Sequence, residues 1–339
     1  MSGAGRYAEL AAAVRTFKAE LLQSSQLDRL LEAGSLAETV SAVTRGHITS
    51  AEGSDLSEVE GYLIHAITHL AQRLTSYAPQ DSRPLINLFA RSFEFGCVKA
   101  ILNAIAAKVS ADEAMRYIIP AGKFTADRCK DLIESHNPNR VIESIDDEGF
   151  KRFLAPKLTS EGASIQTIAA IDQYYLTKLW AASNLPDPLD AQSAKGLIGE
   201  AIDHTNILMA FRSRLIGLDA RTASALMIPV NYGLGQAFNE LPEANNAQNL
   251  TRIVEKTRYS SVFEGITAFD VAMVECALNR SHARTCLNSF AGSPFNVGLA
   301  LAFLFLKNYE LRDLFGVISA KANNVPIDRA LGSLILHQA

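Results

Sequence analysis

Three acidic residues set into apolar helical stripes, almost evenly spaced along the chain, constrain this sequence more than any other feature. Glu94 and Asp203 stand 109 residues apart, and Asp203 and Glu310 stand 107 apart. Glu310 has Leu306 four residues before it and Leu314 four after, so a helix would place all three on one face. An isolated charge on such a stripe is strongly disfavoured unless it is paired. One acid of this kind would be an oddity; three at one period mark a repeated unit.

Other positions keep the same period. Stepping forward from Ser110 by the two offsets reaches Asp219 and then Pro326, and residues 110–114, 219–223 and 326–330 are each fit to open a helix. Pro120 and Pro229 follow Glu94 and Asp203 by 26 residues in each case. An apolar-acid pair recurs early in the preceding long helices, as Val59-Glu60, Ile171-Asp172 and Phe269-Asp270. The common order predicts three copies of one helical unit, bounded at 1–115, 116–222 and 223–339. This period is too long for helical solenoid repeats of roughly 34–47 residues. By count alone, three units of this size could close around a pseudo-threefold axis or form an open arc.

The local pattern predicts an all-α chain, because apolar residues recur at spacings of three and four while Gly and Pro are sparse. Helices are expected over 7–22, 25–32, 35–44, 56–77 and 84–109, with a polar connection at 49–57. A second series covers 125–135, 139–145, 164–183 and 191–216, and a third 248–259, 267–288 and 293–321. Ser35 with Glu38 has the capping-box spacing. Ser293 is expected to cap the last long helix, with Pro294 at its first position. Residues 146–149 read as a solvated turn.

Composition narrows the function. A formal net charge of −4 and a pI near 6.0 disfavour a general binder of nucleic acid or of anionic membranes, since both need basic surfaces. The four cysteines form no CxxC pair and suit a reducing compartment. Residues 285–306 carry no charge, but their continuous apolar part begins near Val297. That is well short of the ~20 residues a membrane span needs, so a buried core helix is expected.

Chemistry-bearing motifs are weak. His65 and His69 have zinc-ligand spacing but no third ligand nearby, so a partly buried or surface helix is expected rather than a metal site. No phosphate-binding loop, dinucleotide fingerprint or nucleophile elbow occurs, and residues 232–236 read as a turn. No catalytic residue, cofactor or metal is therefore expected. Glu94, Asp203 and Glu310 could be metal ligands or proton carriers. One acid per unit fits better as a structural group, partly buried and paired with a cation or backbone N–H.

Two stretches resemble one family. The ending, with Gly292, Pro294, Phe295, Lys307, Glu310 and Pro326, resembles the C-terminal signature of the C subunit of A-type and V-type rotary ATPases, known as the d subunit in eukaryotes. The opening resembles that family through Val14, Arg15, Lys18, Leu21 and Leu22. The middle acid helices, with Glu94 and with Asp203 followed by Asn206, match its acid-x-x-Asn step in part. Departures fall at residues 44–47, 119–122, 228–231 and 314–315.

The resemblance implies three all-helical repeats forming a funnel with pseudo-threefold symmetry. It implies a non-catalytic central-stalk subunit that couples the rotor shaft (D/F-type subunits) to the membrane c-ring and transmits torque during proton or sodium transport. The chain would then be peripheral, on the cytoplasmic side of the membrane. A cytosolic helical adaptor unrelated to rotary motors is the alternative expectation.

Overall fold

The structure, a computed structural model, describes residues 3–48, 56–158, 163–264 and 270–339. Among these there are no strands, only one isolated bridge between Ala121 and Phe124. The first helices are α1 (Gly3–Lys18), α2 (Ser24–Glu32), α3 (Leu36–Val43) and α4 (Leu56–Tyr77), followed by α5 (Arg83–Ala90), α6 (Ser92–Ala107) and the single turn α7 (Ala111–Ala114). A similar series follows as α8 (Ala126–Glu134), α9 (Pro138–Glu143), α10 (Glu148–Leu154), α11 (Ile165–Ala182), α12 (Pro188–Leu215) and α13 (Ala220–Leu226). The remainder comprises α14 (Ala237–Glu240), α15 (Ala247–Val254), α16 (Val271–Asn288), α17 (Val297–Ala322) and α18 (Ile327–Ser333).

Local chemistry starts these helices where the sequence indicates. Ser35, Thr125 and Ser164 sit extended at N-caps, and their side chains accept from the backbone N–H three residues on. At Ser35 the reciprocal half differs from a capping box, because Glu38 accepts from the N–H of Gly34.

Several local expectations fail, among them the helices over 7–22 and 248–259, which end at Lys18 and Val254. The helix expected over 84–109 is two, α5 and α6, which meet at Arg91. The expected turn at 146–149 instead opens α10, with Asp147 as its N-cap accepting from Phe150 N–H. Pro188 brings α12 three residues forward, with Asp187 as cap. The helix expected from Ser293 begins only at Val297, and Asn296 at its N-cap makes no side-chain cap bond. Residues 49–55, most of the expected polar connection, and Phe269 of the third apolar-acid pair lie outside the described residues.

Three long hairpins organise the packing: α4 with α5–α6, α11 with α12, and α16 with α17. The end of each first helix and the start of each second helix meet in one apolar hub. Leu74 and Ile86 come from the first hairpin, Leu179 and Ile198 from the second, and Cys286 and Leu301 from the third. Helix α1 adds Tyr7, Leu10 and Val14 to the same cluster. Away from the hub the second helices diverge. α6 and the later half of α17 pack in one outer cluster with α2, α8 and α9, and the later half of α12 packs in another with α15 and the start of α16.

The contacts between long helices form a closed circuit. α4 packs on α5, α5 on α11, α11 on α12, α12 on α17, and α17 back on α4. The early half of α17 is enclosed on every side, with Val297 through Leu304 all buried. This explains an apolar run too short for a membrane: it is the innermost helix of the hub. No helix among the described residues is long and apolar enough to cross a membrane.

Candidate functional site

The missing cap of α17 is supplied from elsewhere in the chain. Asp190, on α12, accepts a hydrogen bond from the N–H of Val297 at 3.0 Å. Its other oxygen accepts from the Tyr7 hydroxyl at 2.6 Å, and that hydroxyl lies 2.7 Å from Ser82 Oγ. One buried node therefore ties α1 to the tips of all three hairpins. Tyr7, Ser82 and Asp190 are each at most 1% exposed. Burial, and then the Asp190 carboxylate, raise the Tyr7 pKa, so the phenol stays protonated and donates. A dry, fully satisfied network of this kind fixes geometry more than it adds stability.

The three spaced acids occupy related positions on α6, α12 and α17, and each holds backbone of a loop. Glu94 accepts from Lys123 N–H at 3.3 Å, 29 residues ahead, and pairs with Arg91, at the N-cap of its helix, at 3.4 Å. Asp203 accepts from Tyr232 N–H, also 29 ahead, at 3.2 Å, from Gly233 N–H at 2.6 Å, and from the buried Tyr259 hydroxyl at 2.7 Å. Glu310 accepts from Leu22 N–H at 2.7 Å and pairs with Lys307. The held loops lead into α8, α14 and α2 respectively. The acid of the third helix thus reaches back to the start of the chain.

A side chain would be crowded where these loops come closest. Gly122 has φ of +56°, and a Cβ there would lie 2.3 Å from Glu94 Oε1. At Gly233 a Cβ would lie 2.5 Å from Arg258 Cδ and 3.3 Å from Asp203 Oδ2. Burial differs among the three acids. Asp203 is fully buried, Glu310 nearly so, and Glu94 half-buried. Burial raises the Asp203 pKa, opposed by the Tyr259 hydroxyl and the two loop amides.

Around Asp203 lies a second buried polar group that sequence spacing does not reveal. His282, on α16, lies 2.7 Å from the Tyr309 hydroxyl through Nδ1 and 3.0 Å from the Leu197 carbonyl through Nε2. The carbonyl can only accept, so Nε2 carries the proton and Nδ1 accepts from Tyr309. Burial lowers the His282 pKa to about 4. Glu200, whose pKa burial raises, accepts from Thr285. Asp313, raised by burial to about 6, accepts from the N–H groups of Ile335 and Leu336 and so anchors the end of the chain to α17.

The remaining candidates fall as follows. His65 and His69 are both exposed on α4. No group of three or more potential metal-ligating side chains occurs among the described residues. Asp147, expected in a solvated turn, has a side chain only 7% exposed; it accepts from Lys178 at 2.5 Å and from the Tyr174 hydroxyl at 2.7 Å. Burial opposes its ionisation, but those hydrogen bonds hold its pKa below the usual carboxylate value. Four cysteines are free thiols.

The chain is thus an all-helical body whose hairpins are pinned at one buried node and whose three spaced carboxylates each accept from backbone amides. Residues 10–331 match the family described as ATP synthase (C/AC39) subunit, and the chain belongs to that family. Its relatives include proteins named as the C subunit of the A-type ATP synthase. That of Methanocaldococcus jannaschii is 23% identical, over 97% of this chain and 86% of its own length. That of Methanosphaera stadtmanae is 26% identical over 89% and 80%, and that of Pyrococcus horikoshii 22% identical over 95% and 89%.

Proposed function

We propose that this chain is the non-catalytic central-stalk subunit of an A/V-type ATP synthase or ATPase, coupling the D/F-type rotor shaft to the membrane c-ring and passing torque between them. The observation that carries the reading is the family match over nearly the whole chain. It favours a rotary-motor part over an unrelated cytosolic adaptor. The subunit would sit peripherally, on the cytoplasmic face of the ring.

The geometry supports a further element of this reading: three units, 1–115, 116–222 and 223–339, set about a pseudo-threefold axis as a funnel. Each unit contributes one hairpin to the hub. Each spaced acid then holds the loop entering the following unit, and Glu310 returns to Leu22, as a cyclic arrangement requires. In this reading Glu94, Asp203 and Glu310 are structural repeat acids. Torque transfer needs a body that does not deform, and close-packed interiors have low compressibility. A hub with every hairpin tip hydrogen-bonded to one node meets that need.

The test is composition of the complex purified through a tagged shaft subunit. With this chain present, the shaft and the ring elute together; without it, the ring is lost. Recovery of ring and shaft in unchanged ratio without this chain would overturn the proposal.

A further inference from the structure

In two places the residue that follows a spaced acid meets an aromatic ring brought in by the segment ahead of the next long helix. Phe95, after Glu94, meets Phe150 of α10 edge-on with ring centroids 5.2 Å apart. His204, after Asp203, meets Tyr259 edge-on at 5.0 Å. Leu311, after Glu310, shares its surroundings with Phe17 of α1 and Tyr62 of α4 rather than with a ring from the segment between α3 and α4. It lines a half-open groove of about 510 Å³ between α17, α4, α2 and α3.

The difference has a counterpart in the sequence. The segment between α3 and α4, which corresponds to the one bearing Phe150, includes residues 49–55. Those hold no aromatic side chain and nothing apolar larger than Ala51. His47, just before them, lies tilted against Tyr62 with ring centroids 5.4 Å apart, but is exposed and does not line the groove.

Charge gives the groove a second character. Where Phe150 fills the space, Asp147 precedes it by three residues and lies within 3.6 Å of both Lys178 and Arg91. Lys307 stands three residues before Glu310, as Arg91 stands before Glu94. The groove around Lys307 is lined by four cations, which include Arg29, Arg45 and Arg73, and by two carboxylates, Glu20 and Glu310. Glu20 pairs with Arg45 and Glu310 with Lys307. Arg29 has no ion pair among the described residues, and Arg73 lies over the Phe17 ring at 4.6 Å. The floor is apolar and the rim carries a cationic excess.

We propose that this groove takes a short helical segment of another protein, carrying an aromatic side chain with carboxylates on the turn before it. The aromatic would lie on Leu311 as Phe150 lies on Phe95, and the carboxylates would face Arg29 and Arg73. The proposal rests on the equivalence of the three units and not on the coupling of shaft to ring, so loss of coupling would leave it standing.

The probe is a fluorescein-labelled, end-capped peptide with the sequence of residues 145–155, added to the full-length protein and followed by anisotropy. Saturable binding in the micromolar range is expected. It should weaken about ten-fold or more with Phe150→Ala in the peptide, which leaves the protein untouched. Ala66→Phe, which would plug the groove from α4, and Arg29→Glu combined with Arg73→Glu should have the same effect. Melting curves matching the unsubstituted protein qualify the protein variants. The absence of saturable binding overturns the proposal, as does binding indifferent to Phe150→Ala. Binding that emerges only after residues 49–55 are deleted would assign the groove to this chain's own segment. A dimer in sedimentation that Ala66→Phe dissolves would assign it to a second copy. Either result overturns the proposal.

Discussion

Replacing Asp203 by alanine removes the acceptor for three donors at once. The Tyr259 hydroxyl is the costly one, because its residue is 3% exposed and water cannot replace the carboxylate. A buried donor left without a partner costs about 1–3 kcal/mol. The loop amides of Tyr232 and Gly233 are nearer solvent and rehydrate in part, at roughly 0.5–1.5 kcal/mol each for the lost bonds. Some of this is returned, since the carboxylate no longer has to be held in a dry site against its raised pKa. The net expectation is a loss of about 2–4 kcal/mol. Glu94→Ala provides the contrast. Its side chain is 18% exposed and both its contacts are long, so a loss below about 1 kcal/mol is expected. A chain of this length need not unfold in two states, so native-state hydrogen exchange at Tyr232 and Gly233 is the direct assay, supported by urea midpoints. In Asp203→Ala these amides should exchange faster, and Tyr259→Phe on that background should recover part of the stability. If Asp203→Ala matches Glu94→Ala in midpoint and leaves both amides protected, the carboxylate does not hold the loop.

Other consequences follow from the same geometry. Asp190→Ala leaves the buried Tyr7 hydroxyl and the Val297 N–H without their acceptor, and should cost about 2–4 kcal/mol, whereas Tyr7→Phe should cost less; equal melting temperatures for Asp190→Ala and the unsubstituted protein would refute the node. Gly122→Ala places a side chain at a left-handed φ and against Glu94, so a loss of about 1–2 kcal/mol or more is expected by chemical denaturation. Adding Glu94→Ala should relieve the clash but not the backbone strain. For His282, the folded pKa of about 4 lies below the ordinary 6.5, so its contribution is present above pH 6.5 and is lost as pH falls toward 4, in total about 3 kcal/mol. Glu200 and Asp203, both raised, act in the opposite sense, so the test compares the protein with His282→Gln. The stability advantage over that variant should shrink between pH 7.5 and 4.5, and a constant gap would contradict the assignment.

Much of the architecture is legible in sequence because it is local. Helix periodicity and the caps at Ser35, Thr125 and Ser164 depend on residues within one turn of one another. The acids at Glu94, Asp203 and Glu310 are conspicuous because a charge interrupts an apolar stripe. What they hold is harder to read: the donors lie 29 residues ahead, or at the opposite end of the chain. The start of α17 shows the limit plainly. Ser293 and Pro294 make a reasonable local start, but Asp190, more than a hundred residues earlier, caps Val297 instead. Asp147 is similarly hidden, since a run of acids before glycine suggests solvent until Lys178 and Tyr174 are brought beside it. The hub node has no sequence signature, because Tyr7, Ser82 and Asp190 are ordinary residues made specific only by packing.

We propose above that this chain mechanically joins shaft to ring. The most direct measurement is the number of ions transported per ATP hydrolysed by the complex reconstituted in vesicles, with and without this subunit. A fixed ratio is expected when the subunit is present, and hydrolysis with ion transport near zero when it is left out. An unchanged ratio in its absence would contradict the proposal.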